Sequence, residues 1–259
     1  MYTLFRMNIM NRIIGFTVLY LMTLAFTACT DENNPNIEEE TVKVENTSAG
    51  LVEDVLTKEQ QDALTPEIVI SVLKEGNIRF TNNDLTSRNH SEQVRNSALS
   101  QYPKAIILSC VDSRVPVEDV FDRGIGDLFV ARVAGNFVNE DILGSMEFAC
   151  KVSGSKLILV MGHEHCGTVK AAVDDVKLGN ITSMLQKIRP AVESVEYDGE
   201  RNSKNEDFVH MACESNVRNT INQIRLNSLI LKEMEDNGEI KIVGAIYDMD
   251  NGKADWLEE

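Results

Sequence analysis

Leu157-Ile158-Leu159-Val160-Met161-Gly162-His163-Glu164-His165-Cys166-Gly167 is the stretch on which the reading of this chain turns. It opens with an unbroken apolar run of strand length and ends by placing two imidazoles and a thiol on the turn that follows. A strand that is apolar at every position is covered on both faces, the condition of a parallel sheet packed between helices. Three further runs share the pattern: Ala105 to Leu108, Leu128 to Ala131 and Ile240 to Tyr247. Helical segments are expected between the runs, near 141–152, 166–176, 181–194 and 205–236. Ahead of them, Thr65-Pro66-Glu67 reads as a helix start: Thr65 caps, Pro66 suits the first turn and Glu67 complements the helix dipole. A polar helix is expected near 88–100. This alternation predicts an α/β fold with a mainly parallel central β-sheet flanked by helices. Sites in such sheets lie at the carboxyl ends of the strands, so the residues just after 108 and 161 are where chemistry is expected.

The first of those places reads Ser109-Cys110-Val111-Asp112-Ser113-Arg114-Val115-Pro116. Two thiolates and one imidazole are a preferred set for zinc, and three protein ligands leave a fourth position open. His163 and Cys166 stand three apart on a turn, and Cys110 would arrive from a neighbouring strand end. His165 competes for the imidazole role, but it adjoins Cys166, and adjacent side chains rarely reach one ion, so His163 is favoured. Taken singly, Cys110 and Cys166 would read as inert core thiols. With Asp112, Arg114 and His163 at these spacings they read as a metal site assembled by a sheet, which suits an enzyme better than a small zinc module.

Cys-x-Asp-x-Arg at 110–114 and His-x-x-Cys-Gly at 163–167 resemble the β-class carbonic anhydrases. The resemblance runs from about Leu73 to Glu259 and includes Gly76-Asn77-Ile78-Arg79-Phe80, Asp112 to Pro116, and Arg132-Val133-Ala134-Gly135-Asn136. It implies a zinc lyase that hydrates carbon dioxide reversibly to bicarbonate and a proton, by attack of zinc-bound hydroxide. Cys110, His163 and Cys166 are the implied zinc ligands. Asp112 is the implied orienting carboxylate, and Arg114 the partner that holds it off the metal. Family members build the pocket at a dimer interface, so a homodimer or tetramer is implied. Members regulated by a second bicarbonate carry Trp three residues before the first zinc Cys. Ile107 stands there in this chain, so the resemblance implies an open zinc without that inhibitory site. Two alternatives remain: hydrolysis of carbonyl sulfide or carbon disulfide on the same fold, or a catalytically silent, zinc-binding tethered protein. Asp112 and Arg114 weigh against the silent one.

The chain has 259 residues, 25 basic against 41 acidic, and a formal charge of −16. No basic face for nucleic acid is to be expected from that balance. Five cysteines exclude a disulfide framework that uses them all. Cys150 and Cys213 read as core residues, with a bond between them left open, and no motif surrounds His90 or His210. At the N-terminus, Arg6 and Arg12 precede or open an uncharged run from Ile13 to Ala28. That run is shorter than the about 20 residues of a membrane span and has the length of a signal-peptide core. Phe26-Thr27-Ala28-Cys29 resembles a bacterial lipoprotein cleavage site. The expected organisation is therefore a signal peptide over 1–28, an acidic flexible tether over 29–62 and the zinc domain over 63–259. A lipid on Cys29 would hold an exported protein to a membrane, in the periplasm or at the cell surface. Residues 30–62 carry ten acidic side chains against Lys43 and Lys58, so half of the net charge belongs to the tether.

Overall fold

The computed structural model describes residues 50–258. The expected signal peptide, Cys29 and the first part of the tether lie outside the described residues. Five strands form one sheet in the order β2-β1-β3-β4-β5. They are β1 (Ala105–Ser109), β2 (Leu128–Arg132), β3 (Leu157–His163), β4 (Lys241–Tyr247) and β5 (Ala254–Trp256). The first four are mutually parallel, and β5 runs antiparallel on the edge of β4.

Each central strand is apolar throughout because its two faces feed two cores. Ile106, Leu108, Ile158 and Val160 pack on one side, with helical residues such as Met146, Ile188, Phe208 and Val217. Ala105, Ile107, Leu159 and Met161 pack on the other, with Val69, Leu73, Val120 and Phe121. Successive side chains on a strand point to opposite faces, so one short apolar run serves both layers. The second layer belongs to α2 (Pro66–Thr81) and the short α4 (Val117–Val120). α2 starts where Thr65 accepts from the Ile68 N–H at 3.3 Å, as its sequence predicts. The first layer contains α5 (Glu140–Glu147) with a π-helical turn, Phe148–Val152, then α6 (Gly167–Val173), α7 (Gly179–Glu193), α8 (Glu206–Asn227) and α9 (Leu229–Asp236). Two small helices, α1 (Lys58–Asp62) and α3 (His90–Asn96), lie near the start of the fold. Among the described residues, no helix is long and apolar enough to cross a membrane.

Three features depart from the sequence reading. The expected helix over 205–236 is two helices, because Ser228 turns extended (φ −125°, ψ 100°) and its hydroxyl caps the next helix at the Leu231 N–H. β5, which holds the chain's single Trp, was not expected; it is three residues long and exists by pairing with Ala245–Tyr247. The boundary at 63 also moves. Val52 bridges to Arg88, and Thr57 with Gln60 forms a capping box on α1. Gln61 is buried and donates to the carbonyls of Pro103 and Ser153, both at 2.8 Å. Residues 52–62 are thus part of the folded domain, held by hydrogen bonds that offset their low apolar content.

One buried amide accounts for the Gly76–Phe80 match. Asn77 donates to Val120 O (3.1 Å) and Gly252 O (2.9 Å) and accepts from Ala254 N (2.9 Å), tying α2 to α4 and β5. Gly76 lets α2 approach so closely that a Cβ there would collide with the Phe121 carbonyl.

Candidate metal centre

Register brings the two motifs together. Ser109 on β1 is level with Met161 on β3, so Cys110 leaves its strand beside Gly162 and His163. The Cys110 and Cys166 sulfurs and a His163 ring nitrogen lie within 4.8 Å of one another, all three residues buried. This is the group the sequence predicts. His165 is not in it: its backbone sits in the left-handed region (φ 52°), on the turn that carries the chain from His163 to Cys166.

Two observations show that the group fits a metal. His163 Nε2 is buried without a hydrogen-bond partner, while its Nδ1 lies 2.8 Å from the Glu164 carbonyl. A carbonyl only accepts, so Nδ1 carries the proton and Nε2 presents a lone pair. The sulfurs supply the second observation. The Cys110 thiol is pulled down to about 4, first by the Cys166 thiol and further by His163 and the backbone N–H groups of Gly135 and Asp112, against the effect of burial. Cys166 is pushed up by the Cys110 sulfur beside it and by burial. Crowding two sulfurs beside a desolvated imidazole nitrogen leaves a site whose charge a dication resolves.

Asp112 is two residues on and stands apart from the three. Its carboxylate accepts from the Arg114 backbone N–H (3.0 Å), Nε (2.9 Å) and Nη2 (2.8 Å). The Arg114 guanidinium holds it well below the usual carboxylate range. One Asp112 oxygen lies 3.8 Å from His163 Nε2, near the donors yet engaged elsewhere. Ile107, in place of the Trp of regulated family members, is fully buried in the core.

Three residues that hold this centre carried no role in the sequence reading. Arg132 donates from Nη1 to Cys110 O (2.9 Å) and from Nη2 to Val115 O (2.5 Å), clamping the loop that carries Cys110, Asp112 and Arg114. The Gly135 N–H donates to Cys110 Sγ at 3.3 Å. Asn216, fully buried on α8, donates to Gly135 O at 2.8 Å. Arg132 and Gly135 sit in the matched run 132–136, which was the available signal; nothing local marks Asn216. Among the described residues no disulfide forms: Cys110, Cys150, Cys166 and Cys213 are free and buried. Burial pushes both Cys150 and Cys213 up to about 12, as expected of core thiols.

At these parallel strand ends Cys, His and Cys gather into a donor set that could hold one metal ion, with a paired Asp–Arg alongside. The comparisons narrow the class. A family model described as carbonic anhydrase matches residues 105–254. Carbonic anhydrase 2 of Mycobacterium tuberculosis (strain ATCC 25618 / H37Rv) is 35% identical over 195 residues, covering 73% of this chain and 91% of that protein. The carbonic anhydrase of Mycolicibacterium smegmatis is 31% identical over 196 residues, 73% of this chain and 92% of its own. A solved Coccomyxa β-carbonic anhydrase superposes with a TM-score of 0.57 at 25% identity, over 64% of this chain and 76% of that one. The chain belongs to the carbonic anhydrase family, in its β class.

Proposed function

We propose that Cys110 Sγ, His163 Nε2 and Cys166 Sγ hold the zinc with which this carbonic anhydrase hydrates carbon dioxide reversibly to bicarbonate and a proton. The observation that carries the assignment is the buried, unpartnered Nε2 beside two sulfurs. When bound, zinc acts as a Lewis acid and lowers the pKa of a coordinated water toward about 7. The protein's own contribution is positional. His163 is fixed in one tautomer by the Glu164 carbonyl. Asp112 stays ionised through Arg114, so it is an acceptor only and orients a water that donates to it. The bidentate grip of Arg114 keeps that carboxylate beside the donors without making it a fourth ligand.

A second copy of the chain would wall the site. Among the described residues β2 is an open edge strand, and a cavity of about 770 Å³ runs along it, lined by Phe129, Val130, Ile142 and Phe148. Val111, next to Cys110, is 56% exposed and Phe148 51% exposed. An apolar open edge of this kind is a pairing surface, which supports a homodimer or tetramer. The uncharged run from Ile13 to Ala28, with Cys29 next and the acidic stretch after it, supports export and a lipid tether. Mass spectrometry of Cys29 and detergent partitioning of Cys29→Ala test the tether; an unmodified Cys29 in the mature protein refutes it.

The function is tested by stopped-flow hydration of carbon dioxide on residues 50–259, with zinc content measured on the same sample. One zinc per chain with rapid hydration is expected. One zinc per chain without hydration refutes the assignment.

A further inference from the structure

Far from the metal centre, at the amino ends of β1 and β2, the fold concentrates positive charge. β1 spans five residues at about 3.3 Å each, so roughly 16 Å of strand separates the two ends. A cavity of about 340 Å³ lies there, lined by Asp54, Arg88, Gln93, Lys104, Arg123 and Asp127 and by the strap of residues 52–60. The two carboxylates of this region nearest Arg123 are already engaged. Asp122, whose side chain is fully buried, accepts from Arg79 Nε (2.5 Å), Arg88 Nη1 (2.6 Å) and Thr86 N (3.1 Å) and Oγ1 (2.6 Å). Asp127 pairs with Lys104 and accepts from Gly124 N at 3.0 Å. Asp54 is exposed at the rim.

Arg123 has neither carboxylate. Its Nε donates to Phe121 O at 2.7 Å; among the described residues its Nη groups make no hydrogen bond and it forms no ion pair. Desolvation by burial pushes its guanidinium down from the ordinary value, with Asp127 and Asp122 opposing from a distance. Removing a charge from water is costly unless a partner compensates. Here Arg79, Arg88, Lys104 and Arg123 stand against three carboxylates, Asp54, Asp122 and Asp127, in a chain whose total charge is −16. The remaining single positive charge is of the opposite sign to the protein, and Arg123, the cation without a carboxylate partner, lines the cavity.

We propose that this cavity binds a compact oxyanion of phosphate size, gripped by the guanidinium fork of Arg123 with Lys104 and Arg88 adding positive potential. The planar fork matches two oxygens of such an anion, which an ammonium does not. The probe is inorganic phosphate, titrated calorimetrically into the zinc-loaded protein at constant ionic strength in chloride, with sulfate as competitor. One saturable phosphate per chain is expected, displaced by sulfate. Arg123→Gln should weaken binding at least tenfold, whereas Arg114→Gln, at the metal centre, should leave it unchanged. Arg123→Lys keeps the charge and loses the fork, so it should weaken binding severalfold, and it stands in if Arg123→Gln does not fold. Absence of saturable binding overturns the proposal. So does binding that survives both Arg123 variants, or that is lost in Arg114→Gln, which would place the phosphate at the metal centre.

Discussion

Asn216→Ala tests how the fold reaches the metal. The Asn216 amide donates to Gly135 O at 2.8 Å, and the N–H of the same residue, on the preceding peptide unit, donates to Cys110 Sγ at 3.3 Å. One buried side chain therefore anchors the residue whose N–H meets a ligand sulfur. Truncation leaves the Gly135 carbonyl buried and unmet, a loss of about 1–3 kcal/mol. The cost divides between two observables. The part felt equally with and without zinc lowers only the unfolding free energy. The part that relaxes when the metal leaves weakens zinc binding. Since the N–H of Gly135 touches the sulfur directly, half of the upper figure is assigned to the metal, about 1.5 kcal/mol or roughly tenfold in the dissociation constant. Urea unfolding of the zinc-loaded protein reads the first part, and chelator competition reads the second. The cobalt-substituted protein adds a spectroscopic signature, because a lost N–H···S bond leaves more charge on the sulfur and moves the thiolate-to-cobalt band to lower energy. Asn216→Leu keeps the volume and removes the donor, so it should behave as Ala does. If Asn216→Leu binds zinc with unchanged affinity and leaves the cobalt band in place, the relay from α8 to Cys110 is refuted.

Four further outcomes are expected. Asp112→Asn should keep zinc and lose about 10²–10⁴ in hydration rate, the range for a positioned acid–base group; full activity would remove Asp112 from the mechanism. Cys110→Ala should lose zinc and activity together, read by metal analysis and stopped flow on one sample. Asp122→Ala should cost about 3–5 kcal/mol, because it leaves Arg79 and Arg88 facing a buried void. Burial alone would raise the Asp122 carboxyl, but Thr86, Arg88 and Arg79 more than reverse this and hold it below the usual range. Between its folded value and the ordinary value near 3.9, the unfolded chain binds the extra proton. The stabilisation is thus present above about pH 4 and is lost as pH falls further. Asp122→Asn should flatten that part of the acid-unfolding curve, and an unchanged curve would show that other carboxylates dominate it.

The central sheet was legible because its physics is local. Four runs of apolar residues had to be covered on both faces, and the chain between them had helix starts and lengths that fit parallel crossovers. What was illegible depends on partners distant in sequence. β5 is too short to read as a strand and exists only in register with Ala245–Tyr247. The strap at 52–62 looked like solvated tether because its composition is polar; what holds it is Gln61 meeting carbonyls 42 and 92 residues away. Ser228 had the residue type of a cap, but a continuous helical pattern on both sides concealed the break.

The candidate site divides along the same line. Cys110, Asp112, Arg114, His163 and Cys166 were readable because each sits within a few residues of a strand end, and parallel register carries neighbouring strand ends to one place. Asn216 lies 81 residues from Gly135, in a helix where a buried Asn reads like any other polar residue. Its role follows only from the backbone it meets. The charge of −16 misled in a similar way, since a total carries no position. It made a basic face for nucleic acid unexpected, yet it is compatible with Arg79, Arg88, Lys104 and Arg123 gathered around Asp54, Asp122 and Asp127 at one end of the sheet. Electrostatic function is set by what a charge faces after folding. An arginine with one backbone carbonyl for a partner and a cavity in front of it therefore carries more information about ligands than the sum over the chain.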